Sequence, residues 1–130
     1  MFSRRRFLNM LGIILGLLFG LPFLANAKPL ALGLEKIPKL KKIGGWTILK
    51  IKGRSLMFIR NTETTVHLVD PICTHRGCML TYNQKSQRIE CPCHQSMFDL
   101  NGQVLQGPAS QHLQTFEARL SGENIIFSLD

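Results

Sequence analysis

Two short stretches decide how this sequence folds: CTHRGC at residues 73–78 and CPCHQS at residues 91–96. Each stretch holds two cysteines and one histidine, so together they contain all four cysteines of the 130-residue chain. Thiolate sulfur and imidazole nitrogen are the donors that suit zinc, copper and iron–sulfur centres. We therefore expect a metal centre between two loops, with C-x-H spacing in the first and C-x-x-H spacing in the second.

The sequence around these loops consists of short alternating or β-branched runs separated by turn residues. Asn101-Gly102 predicts a hairpin turn, because both positions tolerate a positive φ. No stretch after Gly45 has helical periodicity, so we expect an all-β domain of small antiparallel sheets over residues 46–130. The predicted strands are Trp46–Lys52, Ser55–Arg60, Thr65–Val69, Ile89–Cys91, Met97–Leu100, Leu113–Leu120 and Ile125–Leu129.

The first 27 residues have the composition of a targeting segment. Consecutive arginines at residues 4–6 precede an apolar stretch, residues 10–24, and Ala25-Asn26-Ala27 matches a small-x-small cleavage site. The pattern resembles a twin-arginine (Tat) export signal, which serves proteins that are exported already folded. A retained apolar signal-anchor helix is the alternative, and the sequence does not choose between anchoring and cleavage after Ala27.

Residues 28–45 have the composition of a linker. They include Pro29 and Pro38, several glycines and a basic cluster at Lys39, Lys41 and Lys42. We expect a solvated tether here. The alternative is a basic segment that is held against anionic lipid headgroups.

The basic residues are concentrated near the N-terminus. The chain carries a formal charge of +8, but from Ser55 onward five basic residues face seven acidic ones, a net charge of −2. A nucleic-acid-binding domain would need a basic patch on its folded part. We therefore expect no nucleic-acid partner.

The two loops resemble the two cluster boxes of the Rieske 2Fe–2S family, in the quinol-oxidising branch of cytochrome bc complexes and their chloroplast relatives. Asp99, Gly102 and Gly107-Pro108-Ala109 fall where that branch has an Asp or Asn, a turn glycine and a Gly-Pro-Ala loop. The resemblance covers residues 46–130 and implies a Rieske-type domain with an inserted cluster-binding subdomain and one 2Fe–2S cluster.

The resemblance also implies a role for each cysteine and histidine of the loops. Cys73 and Cys91 would hold the inner iron, His75 and His94 the outer iron, and Cys78 and Cys93 would form a disulfide between the loops. Neutral imidazoles in place of two thiolates raise the potential of such a cluster. Disulfides persist outside the inner membrane, the compartment that an export signal implies.

Residues beside the ligands are expected to tune the potential. Ser96 stands where the family has a serine that bonds a bridging sulfide, and Gly107 and Pro108 belong to the third loop. Phe98 stands where high-potential members carry a tyrosine that bonds a ligand sulfur. A phenyl ring cannot donate that bond, so we expect an intermediate potential.

Two further positions depart from the family pattern. Arg76 replaces the leucine usual at the tip of the cluster, and Gln95 replaces the glycine usual after His94. A charged tip is costly in an apolar docking site unless it is paired. Arg76 is therefore either a solvated side chain or a contact for an acidic partner such as a cytochrome edge.

The sequence favours an exported electron carrier, the iron–sulfur subunit of a quinol–cytochrome c reductase with cytochrome b and a c-type cytochrome as partners. No nucleophile–base arrangement is present, so the chain is not expected to be catalytic alone. One alternative is the small Rieske subunit of a periplasmic molybdenum oxidase such as arsenite oxidase. Another is a zinc-bound structural module. The protein is expected at the inner membrane facing the periplasm, or soluble in the periplasm after cleavage.

Overall fold

The structure, a computed structural model, describes residues 28–130. The export signal and the anchor helix expected in residues 1–27 lie outside the described residues. Two short 3-10 helices cover Leu34–Lys36 and Pro38–Lys41. The strands are β1 (Leu30–Gly33), β2 (Trp46–Ile51), β3 (Arg54–Arg60), β4 (Val66–Val69), β5 (Thr81–Asn83), β6 (Arg88–Glu90), β7 (Met97–Phe98), β8 (Val104–Gln106), β9 (Thr115–Phe116), β10 (Ala118–Ser121) and β11 (Asn124–Phe127).

The strands form three small sheets, ordered β2-β3-β4-β9, β1-β11-β10 and β5-β6-β7-β8. Every pair within them is antiparallel. The expectation of an all-β domain built from small antiparallel sheets is confirmed. In residues 28–130 no helix has the length and apolar character needed to cross a membrane.

The β2–β3 hairpin shows how local sequence sets the register. Ile51 pairs with Arg54, so only Lys52 and Gly53 form the turn. Both have positive φ, 51° and 79°, as both central residues of a two-residue type I′ hairpin turn require. The register places Leu56 and Phe58 on one face of β3, in one core, and Met57 and Ile59 on the other face, in a second core.

The sheet β5–β8 and the two cysteine-containing loops are inserted between two neighbouring strands of another sheet. β4 and β9 pair directly, with Leu68 opposite Phe116. Just beyond this pair, the N–H of Asp70 donates to the carbonyl of Gln114 at 2.8 Å. Residues 71–113 therefore leave the sheet and return to it at one place.

Arg54 braces this junction from β3. Its guanidinium lies 3.5 Å from the Asp70 carboxylate, and its Cζ lies 4.7 Å from the centre of the Phe116 ring. It also donates to the side-chain amide of Gln114. One side chain therefore contacts both ends of the insertion.

The buried side chains form two cores. One lies between the sheets β2-β3-β4-β9 and β1-β11-β10, with Phe58 and Phe127 in edge-to-face contact at 5.4 Å between ring centres. The other lies under the two loops and includes Cys73 and Cys91 among its apolar neighbours. The candidate metal site is therefore built on a packed core.

The expectation that residues 28–45 form a solvated linker is wrong. β1 pairs with β11 through residues 30–33, and Leu34, Ile37 and Leu40 are buried in the core between the sheets. A repeat of one apolar residue in three suits 3-10 helix, which has three residues per turn. The folded domain therefore begins before Trp46, near residue 30.

Two details of the predicted strands also differ in the structure. The single strand expected over Leu113–Leu120 is two strands, because the chain crosses at Glu117 from the sheet that contains β4 to the sheet that contains β11. β5 and β8 were not predicted. Each has three residues, too few to show a clear alternation.

Candidate metal centre

The loop at residues 73–78 closes on itself through its backbone. The N–H of Gly77 donates to the carbonyl of Cys73 at 2.9 Å, and the N–H of Cys73 donates to the carbonyl of Cys78 at 2.8 Å. Gly77 has φ +76°, a conformation that favours glycine. The loop thus turns sharply and returns the chain to where it started.

The loop at residues 91–96 repeats this backbone arrangement. The N–H of Gln95 donates to the carbonyl of Cys91 at 3.0 Å, and the N–H of Cys91 donates to the carbonyl of Ser96 at 2.8 Å. Gln95, with φ +66°, takes the position that Gly77 has in the first loop. Two loops of the same shape therefore each place one cysteine at their base.

The cysteines at the base of the loops are free and buried. Cys73 and Cys91 are each 2% exposed, and their thiols contact each other. Burial raises the pKa of the Cys91 thiol, but hydrogen bonds from the backbone N–H groups of Cys93 and His94 and from Cys73 outweigh it, so the pKa lies below its ordinary value. A thiol that ionises readily is a good metal ligand.

The two histidines lie together toward solvent. The rings of His75 and His94 are 5.0 Å apart between centres and nearly perpendicular, at 87°. His94 is exposed and His75 half-buried. Nδ1 of His75 is buried and has no hydrogen-bond partner within residues 28–130. A buried ring nitrogen without a partner is costly in the absence of a ligand.

The remaining cysteines, Cys78 and Cys93, form a disulfide that joins the two loops. Their sulfurs and the Cys91 sulfur lie within 4.8 Å of one another. The four expected ligands do not form one group at that distance in the described chain. Two metal ions that each take their own pair of ligands do not require all four donor atoms to lie in one such group.

A third loop covers the first two. Ser96 is fully buried, and its Oγ accepts a hydrogen bond of 3.0 Å from the N–H of Ala109. Its O–H can still donate a hydrogen bond of its own. Gly107-Pro108, a cis peptide, precedes Ala109 and is exposed.

Residues 36–117 match the family model for the Rieske [2Fe-2S] domain. The chain belongs to this family. Its cofactor is a 2Fe–2S cluster, and it is a Rieske iron–sulfur electron-transfer protein. The donor set described above fits that cofactor, because it pairs two buried thiols with two imidazoles and leaves Nδ1 of His75 without another partner.

Known Rieske proteins show the likeness in sequence and in structure. The cytochrome b6-f complex iron-sulfur subunit of Synechococcus sp. (strain JA-3-3Ab) is 38% identical over 70 residues, which are 54% of this chain and 41% of that protein. Subunit 1 from Nostoc sp. (strain PCC 7120) is 25% identical over 152 residues, 97% of this chain and 84% of that protein. The matched region thus spans less than half of the first relative.

A solved structure extends the likeness to the fold. The plasma membrane Rieske protein PetC3 from Synechocystis PCC 6803 superposes with a TM-score of 0.64 at 29% identity. The match covers 77% of this chain and 99% of that one. The fold of the matched residues is therefore that of a Rieske protein.

Three polar side chains outside the expected site residues hold the Rieske loops together. Oγ1 of Thr74 donates to the carbonyl of Gln111 at 2.7 Å, and Nε2 of Gln106 donates to the carbonyl of Gln95 at 3.1 Å. Nδ1 of His112 accepts from the N–H of Val104 at 3.0 Å. Single polar residues give no spacing signal, so only the fold reveals these contacts.

The histidine of β4 lies outside the Rieske loops. His67 is half-buried in the sheet β2-β3-β4-β9. Burial lowers its pKa despite a hydrogen bond to the backbone of Leu100 and the nearby charge of Asp99. A neutral ring is therefore favoured in the folded protein.

Beneath the loops, the core contains two aromatic residues, Phe98 and Tyr82. Phe98 is fully buried on β7, in the same core as Cys73 and Cys91. Tyr82 is buried in this core too, and its hydroxyl has no hydrogen-bond partner within residues 28–130. Burial raises the pKa of Tyr82.

The remaining residues of the family pattern lie at the surface or in a turn. Arg76 is exposed between His75 and Gly77, and it makes no salt bridge within residues 28–130. Asp99 accepts hydrogen bonds of 2.9 Å from the N–H groups of Asn101 and Gln103. The predicted turn at Asn101-Gly102 lies between β7 and β8, but of its two residues only Gly102 has a positive φ, 77°.

Proposed function

We propose that this chain is the exported iron–sulfur subunit of a quinol–cytochrome c reductase and passes electrons from a quinol to a c-type cytochrome. The observation that carries the proposal is the pairing of two like-shaped loops, with thiols buried at their base and imidazoles side by side toward solvent. The similar proteins from Synechococcus and Nostoc are iron–sulfur subunits of cytochrome b6-f complexes, which points the same way.

In this proposal Cys73 and Cys91 hold the inner iron, and His75 and His94 hold the outer iron. Burial of both cysteines at 2% exposure supports their place on the inner side. The partnerless Nδ1 of His75 supports its role as a ligand atom. The bound cluster would supply one-electron chemistry at a potential that imidazole ligation raises.

The chain's own residues would control how electrons and protons reach this centre. The apolar core around Cys73 and Cys91 excludes water from the cysteine side, so exchange with a partner takes place on the histidine side. The exposed ring of His94 can hold a proton on the nitrogen that does not bind metal. Uptake of one electron and one proton on the same side suits the oxidation of a hydroquinone.

The location of the protein follows from its N-terminal sequence. We propose that residues 1–27 act as a twin-arginine signal. The domain would then lie at the inner membrane facing the periplasm, or be soluble in the periplasm if cleavage follows Ala27. Sizing the N-terminus of the exported protein distinguishes the two outcomes.

Ligand substitutions in the full chain test the centre itself. Cys73→Ser, Cys91→Ser, His75→Gln and His94→Gln should each abolish iron binding and the electron paramagnetic resonance signal of the reduced protein. His67→Gln, outside both the proposed ligand set and the Rieske loops, should keep both. Purified protein that holds one zinc ion and no iron would sink the proposal and support a structural zinc module.

A second candidate function rests on Arg76. An exposed arginine beside His75 suits a polar partner better than an apolar quinol-oxidising one. In that case the chain would be the small subunit of a periplasmic molybdenum oxidase such as arsenite oxidase. Purification of the native complex decides between them, since cytochrome b supports the first function and a molybdopterin subunit the second.

A further inference from the structure

We propose that the segment from Lys36 to Ile43 is a membrane-contact surface that binds the headgroups of anionic lipids. Its basic residues, called the lysine face below, are Lys36, Lys39, Lys41 and Lys42. This role is separate from electron transfer, because the surface lies outside the three loops of the metal centre.

Packing of the segment determines which residues reach solvent. Leu34, Ile37 and Leu40 are buried at 4%, 6% and 0% exposure. All members of the lysine face lie between or just after them and are exposed. Because the apolar residues recur every third position, the 3-10 geometry holds the lysines away from the core.

Hydrogen bonds fix this segment to the body of the protein. The guanidinium of Arg60 donates to the carbonyls of Leu40 and Lys41, at 3.1 and 2.9 Å. The backbone of Arg60 also pairs with Gly44 and Gly45, through bonds of 2.6 and 2.9 Å. The lysine face is therefore displayed on a fixed support, so its charges are held close together.

The charges of the lysine face are not neutralised by the folded chain. None of the four lysines forms a salt bridge with a carboxylate of residues 28–130. Glu35 is the only acidic residue between positions 28 and 45, and its carboxylate is placed beside Gly33. Unpaired lysines this close together favour an anionic partner.

An apolar element beside the lysines indicates a bilayer as that partner. Ile43 is 51% exposed, and with Lys39, Lys42 and Trp46 it lines a groove of about 590 Å³. Lysines reach phosphate headgroups, whereas isoleucine and tryptophan insert at the interface between headgroups and acyl chains. Charge and apolar surface in one place are what a peripheral membrane contact requires.

Trp46 is the only tryptophan of the chain, so its fluorescence reports directly on this surface. The full chain is mixed with vesicles of phosphatidylcholine, or of phosphatidylcholine with about 30 mol% phosphatidylglycerol. We expect the anionic vesicles alone to reduce acrylamide quenching of Trp46 at least twofold. In 1 M NaCl, where the Debye length falls to about 3 Å, this protection should disappear.

Charge variants test whether membrane binding depends on the lysine face or only on the net charge of the protein. The quadruple variant with Lys36, Lys39, Lys41 and Lys42 each changed to Gln should lose the protection. Its affinity for anionic vesicles, relative to neutral vesicles, should also fall about fivefold for each lysine removed, the equivalent of about 1 kcal/mol per charge. The matched control changes Lys50, Lys52, Lys85 and Arg119, all exposed, to Gln and should keep both effects.

Every outcome of this comparison bears on the proposal. Equal quenching on both kinds of vesicle, or equal loss in both quadruple variants, would overturn it. So would protection by a soluble acidic polypeptide that matches the protection by anionic vesicles, since the surface would then recognise protein. If the quadruple variant does not fold, Lys39→Glu with Lys42→Glu is compared with Lys50→Glu with Lys52→Glu.

Discussion

Gln95 holds a backbone conformation that its side chain disfavours. Its φ of +66° equals, within ten degrees, the +76° of Gly77 in the matching loop. An L-residue pays roughly 1–2 kcal/mol in this region, whereas glycine does not. The second loop is therefore strained at a point where the first is relaxed.

Exchanging these residues should alter stability in opposite directions. Gln95→Gly should raise the free energy of unfolding by about 0.5–1 kcal/mol, because relief of strain exceeds the added flexibility of the unfolded chain. Gly77→Gln should lower it by about 1 kcal/mol, and steric clash does not contribute because nothing lies within 4 Å of a Cβ there. Urea unfolding of the iron-loaded protein measures both, and a loss of stability in Gln95→Gly would contradict the prediction.

The second prediction concerns the redox potential and rests on the buried ring of Phe98. Phe98→Tyr adds a hydroxyl in the core that contains both buried cysteines. A new hydrogen bond to a ligand sulfur stabilises the reduced state by about 1–2 kcal/mol, so the potential should rise by about 40–90 mV in a redox titration.

Tyr82 provides the control for this substitution. Its hydroxyl is buried without a partner among residues 28–130, so Tyr82→Phe removes a hydroxyl from the same core and no hydrogen bond seen there. The potential of Tyr82→Phe should match that of the wild type. An unchanged potential in Phe98→Tyr would show that the loss of a tyrosine at this position does not tune the cluster.

Among the elements, the two 3-10 helices show that residues 34–41 belong to the domain. Leu40 is fully buried, so Leu40→Ala should lower the free energy of unfolding by about 2–4 kcal/mol. Ile43→Ala, three residues further and 51% exposed, should cost less than about 0.5 kcal/mol. Equal small effects for both variants would mean that the segment is a tether after all.

The disulfide is the covalent link between the two Rieske loops. Cys78 and Cys93 are 15 residues apart, and a cross-link of that length stabilises a fold by about 3 kcal/mol. The double variant Cys78→Ser with Cys93→Ser should unfold at correspondingly lower urea concentration and release iron faster to a chelator. Iron release at the wild-type rate would mean that hydrogen bonds of the third loop suffice to hold the site closed.

Residue patterns predicted the β2–β3 hairpin but missed β1, which depends on a distant partner, and the short strands β5 and β8. Apolar and β-branched residues flank Lys52-Gly53 on both sides between Trp46 and Arg60, so local sequence contains the β2–β3 hairpin. β1 includes a glycine and follows a proline, and it becomes a strand only because β11 offers its edge. The three-residue repeat of Leu34, Ile37 and Leu40 was a local signal, hidden by the prolines and lysines around it.

The site divides in the same way. Cys73 and Cys91, with the histidines of their loops, come from spacing that is visible in the sequence. Thr74 donates to the backbone of Gln111, which is 37 positions away. Gln106 donates to the backbone of Gln95, which is 11 positions away. Such contacts depend on how the three loops pack together, and no periodicity in the sequence predicts that packing.

Across the whole molecule, acidic residues are missing from the loops around the metal centre. Residues 71–89, 91–98 and 100–116 contain none, and they include the basic residues Arg76, Lys85 and Arg88. The two acids between these segments are engaged internally, Glu90 with Asn83 and Asp99 with its own turn. An electron acceptor with an acidic docking surface would complement this side of the molecule.

Arg76 should therefore influence the rate at which electrons reach an acidic c-type cytochrome. Arg76→Gln should slow this step several-fold at low ionic strength and weaken its dependence on salt, as stopped-flow measurements would show. Arg119→Gln, an equal charge change on β10 in another sheet, should alter neither. A faster reaction in Arg76→Leu would instead favour an apolar docking surface.

Asp70 and Gln114 lie side by side where the inserted residues begin and end, so residues 71–113 form a unit that joins the sheet at one place. The chain passes between the inserted residues and the sheet only at this point, although Met57, Ile59 and Val69 also pack into the core under the Rieske loops. Residues 71–113 could therefore be exchanged as one block between family members without changing the path of the rest of the chain.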